Sequence, residues 1–251
     1  MKLWLNILLV CCAFGIAKAD APYSVIDSGN AAYAKEKYAK AIEYYKKFEE
    51  SGYQSEQVYY NMGNCYYRMN EIAKSILYYE KAKKLNPSDA DVQFNLQLAN
   101  AKTTDRIISD TPIFLVNWWH NFINSFSEKG WSIICIILLF LAALLLVLYS
   151  ISGNLAVRQM GFWGGIVMTI FSICSFGFAR EQYETLTSHD TGVIMTASVT
   201  VKGAPEDKAT QLFIIHEGTK VNIVKTEGDW TEIRLNSGVQ GWLMTSDVSP
   251  I

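Results

Sequence analysis

His120, His189 and His216 are the chain's three histidines, and none lies at metal-ligand spacing from another. A zinc or hydrolytic centre needs ligands in clusters such as H-E-x-x-H or paired cysteines. The five cysteines do not supply them: Cys11 and Cys12 fall in the N-terminal apolar stretch, Cys135 and Cys174 in later apolar runs, and Cys65 stands alone. Cys65 reads as a small buried hydrophobe. Asp190 beside His189 falls in a linker and His216 precedes a turn, while no glycine-rich phosphate loop or G-x-S-x-G elbow is present. No enzyme activity, metal or cofactor is expected. The remaining chemistry is recognition, by aromatic rings and side-chain amides. Twelve of the 14 tyrosines lie between Tyr23 and Tyr79, among them Tyr33, Tyr60 and Tyr67, and the C-terminal part carries Trp230 and Trp242.

The elements that position these residues begin with an internal period of 34. Gly29-Asn30-Ala31 recurs as Gly63-Asn64-Cys65, Ala41-Ile42 as Ser75-Ile76, and Tyr45 as Tyr79, with Pro87 closing the second unit. The pattern resembles the tetratricopeptide repeat, a helix pair with small residues at the crossing and large ones between. Phe48 stands where alanine is usual. Residues 20–110 are read as two repeats plus a terminal capping helix over Ala90 to Ile107, built on Val92, Leu96 and Ala99. The resemblance implies a concave surface that binds a protein segment. Asn30 and Tyr33 would line it in the first unit, and Tyr60, Asn64, Tyr67 and Arg68 in the second. Ile26 and Tyr60 occupy the places where a carboxylate clamp needs lysines, so that variant is not expected.

The charge distribution separates this region from the next. Half of the chain is hydrophobic and 18% is charged, yet residues 111–180 hold only Glu128, Lys129, Arg158 and Arg180. Two uncharged runs, 130–151 and 159–179, are long enough to span the hydrocarbon core, and the Ser152-Gly153-Asn154 turn makes them a hairpin. Gly161 and Gly165 form a GxxxG that packs the hairpin internally, with an oligomerisation face as the alternative. Before the hairpin, residues 111–128 place Phe114, Leu115, Trp118, Trp119, Phe122, Ile123 and Phe126 at helical spacing, an amphipathic interfacial segment or a core helix of the preceding domain. Residues 1–19, with Lys2, an apolar stretch and Ala17-Lys18-Ala19, read as a signal peptide. Export of the chain beyond Ala19, two spans and Arg158 in the inner loop place both soluble parts on the outer side.

Residues 187–251 change period. Ala197–Val201, Lys220–Val224 and Trp230–Leu235 alternate, separated by turn signals, and predict a small all-β barrel. The pattern through Glu217-Gly218-Thr219, Asp229-Trp230 and Gly238-Val239-Gln240-Gly241-Trp242 resembles a bacterial SH3 domain. Trp242 is expected in the core; Trp230 could form part of a ligand surface.

Signal, repeats, aromatic segment, hairpin and SH3-like domain, in that order, resemble the BatE family of the Bacteroides aerotolerance operons. The resemblance implies a bacterial inner-membrane protein in an envelope complex with von Willebrand A-domain membrane proteins and a MoxR-type ATPase, linked to aerotolerance or stress. The overall expectation is multidomain: an all-α solenoid, a two-helix membrane hairpin and an SH3-like barrel, acting as a membrane-anchored adaptor with periplasmic soluble domains. The alternative is a peptidoglycan-binding anchor acting through the SH3-like domain. A net charge of −2 argues against nucleic acid, and −5 over residues 181–251 gives little attraction to an anionic polymer.

Overall fold

The structure is a computed structural model that describes residues 23–105, 118–119 and 122–251. The expected signal peptide lies outside the described residues, as does most of the amphipathic segment, including Phe114, Leu115 and His120. The chain divides into two compact units, one reaching Gln54 and the other running from Ser55 to Ile251.

The first unit contains helices α1 (Tyr23–Ala34) and α2 (Tyr38–Glu50). They cross at Gly29, where an added Cβ would lie 2.4 Å from the Tyr45 ring. Ala41 and Tyr45 have no exposed surface. Phe48, the departure from the repeat pattern, is also buried and packs on Tyr53 with ring centroids 5.8 Å apart.

The second unit opens with α3 (Glu56–Arg68), α4 (Ile72–Leu85) and α5 (Ala90–Asn100). Helices α3 and α4 repeat the crossing: a Cβ at Gly63 would lie 2.5 Å from the Tyr79 ring. The turns repeat as well. Glu36 and Asn70, 34 positions apart, both take the left-handed conformation, and Lys37 and Glu71 then return their amides to Ala32 and Tyr66. Asp89 caps α5 by accepting from the amides of Asp91 and Val92 at 2.8 and 2.9 Å. Helix α5 ends at Asn100, short of the expected Ile107, and turns through Thr103, whose hydroxyl donates to the Asn100 carbonyl.

Helices α6 (Glu128–Ile151) and α7 (Leu155–Thr187) form the hairpin, and both are long and apolar enough to cross a membrane. Ser127 and Asn154 cap them by accepting from the amides of Gly130 and Ala156. The GxxxG is used within the hairpin. A Cβ at Gly161 would meet the main-chain oxygen of Leu145 at 2.7 Å, and one at Gly165 would meet Leu146 at 3.3 Å. Ser172 and Ser175 add hydroxyl bonds to the carbonyls of Cys135 and Trp131 at 3.0 and 2.8 Å. Helix α7 outruns the predicted 159–179 span. Its 33 residues reach ~50 Å, and the added turns carry Glu181 and Glu184 beyond the uncharged run.

The C-terminal part holds seven antiparallel strands: β1 (Thr191–Ile194), β2 (Ser198–Lys202), β3 (Gln211–His216), β4 (Lys220–Glu227), β5 (Trp230–Arg234), β6 (Gln240–Met244) and β7 (Val248–Pro250). Their order is β3-β2-β6-β5-β4-β1-β7. Ile194, Val199, Val201, Ile215, Val221, Ile233, Leu243 and Val248 form one core, with members from every strand. The sheet is not closed, because β3 and β7 remain edges; the expected barrel is therefore an open antiparallel sheet. Gly238, at φ +84°, makes the β5–β6 turn, and a Cβ at Gly241 would strike Val201 at 2.5 Å.

Candidate functional site

The asparagines expected to face a groove are first of all parts of the helix crossings. Asn30 accepts a hydrogen bond from the Tyr45 hydroxyl at 2.7 Å, and Asn64 accepts one from Tyr79 at 2.6 Å. The repeated Gly-Asn pair thus does two jobs: glycine lets the tyrosine ring in, and asparagine holds its hydroxyl. Tyr33 packs edge-on against Tyr38, with centroids 5.5 Å apart.

In the second unit the structure brings Tyr60 and Asn64 together through a residue that sequence reasoning does not single out. The Asn95 amide on α5 donates to the Tyr60 hydroxyl at 2.9 Å and to Asn64 Oδ1 at 3.1 Å. Tyr67 is half-buried, with the Lys102 ammonium 4.0 Å from its ring centroid. Arg68 is exposed.

Two more residues share this face. Val92, Leu96 and Ala99 of α5 are buried as Val58, Met62 and Cys65 of α3 are, so α5 continues the 34-residue register. Tyr60 and Asn64 then correspond to Phe94 and Leu98, which are 60% and 42% exposed. The signal for them is the same period, extended once more; Gln97 in place of glycine hides it. The face offers exposed apolar side chains beside half-buried tyrosines, a fixed amide network and the cation Lys102. Such a surface complements an apolar-faced peptide segment.

Cys65 is fully buried, and burial pushes its thiol up to about 12, which leaves it unreactive at neutral pH. Trp242 is buried as expected, with Lys225 over its ring at 4.9 Å. Trp230 is half-buried, with Lys202 over its ring at 4.8 Å. His189 is exposed.

His216 has a structural partner, which comes from the end of the helical region. One oxygen of Asp105 lies 2.8 Å from the ring Nδ1, and the other accepts from the His216 amide at 2.7 Å and the Thr219 hydroxyl at 2.9 Å. With 111 positions between Asp105 and His216, no local motif announces this clamp. Burial opposes ionisation of Asp105, but the bonds from His216 and Thr219 outweigh it and hold the carboxyl below its ordinary 3.8. A depressed carboxyl contributes stability that is fully present above the unfolded-state value and lost as pH falls through the folded one. The gap in thermal midpoint between the native chain and Asp105→Asn is therefore expected to narrow as pH falls below 3.8. A gap that persists unchanged at lower pH would assign the clamp no ionic character.

Residues 56–89 match the tetratricopeptide repeat family. Comparison with curated proteins gives no match.

Proposed function

We propose that this protein is a membrane-anchored adaptor of the bacterial envelope, holding partner proteins through the surface of its tetratricopeptide repeats. The observation that carries the reading is the repeat match over α3 and α4, a helical repeat used for protein–protein interaction, together with the exposed Phe94 and Leu98 beside Tyr60 and Tyr67. The hairpin is the anchor. Its outward side chains, such as Phe140 at 72% and Ile151 at 77% exposure, are apolar and bare over most of both helices, a surface that water disfavours and lipid covers. Trp118, Trp119, Phe122, Phe126, Trp131 and Phe178 gather at the end of the hairpin away from its turn, with Trp131 and Phe178 centroids 5.0 Å apart. Rings of this kind favour the membrane–water interface. Gln182 and the Trp131 indole tie them down by donating to the Ile123 carbonyl at 2.8 and 2.7 Å.

Both soluble parts lie on the outer, periplasmic side. The two spans and the contacts between Asp105 and the sheet support a common side. Domain order supports membership of the BatE family, with von Willebrand A-domain proteins and a MoxR-type ATPase as the partner system and aerotolerance as the setting. The open sheet is an SH3-like domain in this reading.

Affinity capture of the detergent-solubilised protein from its own cells tests the proposal. Von Willebrand A-domain membrane proteins should be recovered with the native chain, and at least about tenfold less with Tyr60→Ala/Phe94→Ala, since a hot-spot residue at an interface contributes about 2 kcal/mol or more. Capture of muropeptides or wall enzymes instead, abolished by Trp230→Ala and indifferent to the groove pair, would replace the adaptor with a wall anchor.

A further inference from the structure

Strand β1 is buried on both faces. Successive strand residues point to opposite sides of a sheet, yet Val193 and Ile194 both have no exposed surface. Ile194 belongs to the core of the sheet. Val193 belongs to a different cluster, with Ile251 just past β7 and Ile76, Leu77, Leu96 and Ala99 of α4 and α5. A second layer, the helical repeat, therefore covers this strand. The approach is close enough that a Cβ at Gly218 would reach Thr103 at 2.7 Å and Ile76 at 3.1 Å.

Polar contacts frame the apolar contact. Lys220 of β4 pairs with Glu80 of α4 at 2.7 Å, and the Glu80 side chain is only 8% exposed. Lys84, one turn on, donates to the main-chain oxygens of Ser188 and Ile251 at 2.5 and 2.9 Å. Ile76, Glu80 and Lys84 fall at four-residue steps, which makes one stripe along α4. The Asp105 clamp on His216 and Thr219 closes the far side.

A solenoid repeat buries its face against the next one, and the last repeat needs a cap. Helix α7 also touches α4, but the apolar cover of the stripe comes from Val193 of β1 and from Ile251. We propose that the C-terminal sheet is the terminal cap of the helical array, and that α3–α5 and the sheet fold as one cooperative unit from which the apolar hairpin is an excursion. Asp105 precedes the excursion and Ser188 comes after it, and each is bonded to the opposite half of the unit. The cap is independent of which ligand the groove takes. Its consequence is mechanical: the face of α3 and α5 is held by the sheet rather than hanging on a linker.

Hydrogen exchange on the full-length protein in detergent tests the cap, with a double-mutant cycle across Lys220 and Glu80. Lys220→Met leaves a buried carboxylate without its cation, so amides of α4 should exchange about ten- to a hundredfold faster. Adding Glu80→Gln removes that orphaned charge and should restore most of the protection. Amides of β5 and β6 should accelerate in parallel with those of α4, because one cooperative unit opens as a whole, and acceleration confined to α4 would overturn the proposal. Unchanged exchange in α4 upon Lys220→Met would overturn the proposal, as would acceleration that Glu80→Gln fails to relieve.

Discussion

Gly63→Ala is expected to destabilise the second unit, although alanine is the better helix former. Alanine gains about 1 kcal/mol of helix propensity over glycine. Against this, its Cβ would stand 2.5 Å from both Cδ1 and Cε1 of Tyr79, a distance at which something must move. Tyr79 is 1% exposed and its hydroxyl is held by Asn64 at 2.6 Å, so the ring has no free direction of retreat. Overpacking of this kind costs about 1–3 kcal/mol, leaving a net loss of up to about 2 kcal/mol for alanine and more for Gly63→Val. The diagnostic is a cycle with Tyr79→Leu, itself destabilising because it removes a buried ring. In that background Gly63→Ala should be neutral or stabilising, a coupling of about 0.5–3 kcal/mol. Urea unfolding monitored by helical circular dichroism reads both. If Gly63→Ala is harmless beside native Tyr79, the ring is not what fixes the glycine.

The second large effect is at Val193. Val193→Asp places a carboxylate between the sheet and α4–α5 at a position with no exposed surface, among Ile76, Leu96 and Ala99. An unpaired buried charge is costly, and the loss should reach at least about 3 kcal/mol whether the group ionises or stays protonated. Val193→Ile, apolar and one methylene larger, should stay within about 1–3 kcal/mol. The measurement is the denaturant midpoint of full-length protein in detergent. A Val193→Asp midpoint equal to native would place this residue in contact with water.

The repeat is legible in the sequence because two of its constraints are local and strict. A tyrosine ring lying over a helix admits only glycine opposite it, and that constraint recurs as Gly29 with Tyr45 and Gly63 with Tyr79. The hairpin is legible from the absence of charge, but hydropathy limits its second helix to 159–179 because charges resume there. Backbone helicity does not end at that point, and α7 continues to Thr187. Phe94 and Leu98 escape a sequence reading because α5 carries Gln97 where the pattern has glycine, even though its buried positions keep the register. Strand alternation locates the β region well, while its ladder closes no barrel. The least legible feature is the contact between the sheet and the helices. Glu80 meets Lys220 across 140 positions and Lys84 meets Ile251 across 167, and such pairings leave no periodic trace. A faint sign is present in β1: Gly192-Val193-Ile194 does not alternate, as befits a strand covered on both sides.

The central claim, that the repeat face holds a protein partner, is tested most directly by a photo-crosslinking residue placed at Phe94 of the full-length chain in its own cells, with a second probe at Trp230. Discrete protein adducts from position 94, enriched in von Willebrand A-domain membrane proteins and absent when Tyr60 is also replaced by alanine, are the predicted result. Adducts to cell-wall material from position 230, with none to protein from position 94, would contradict it.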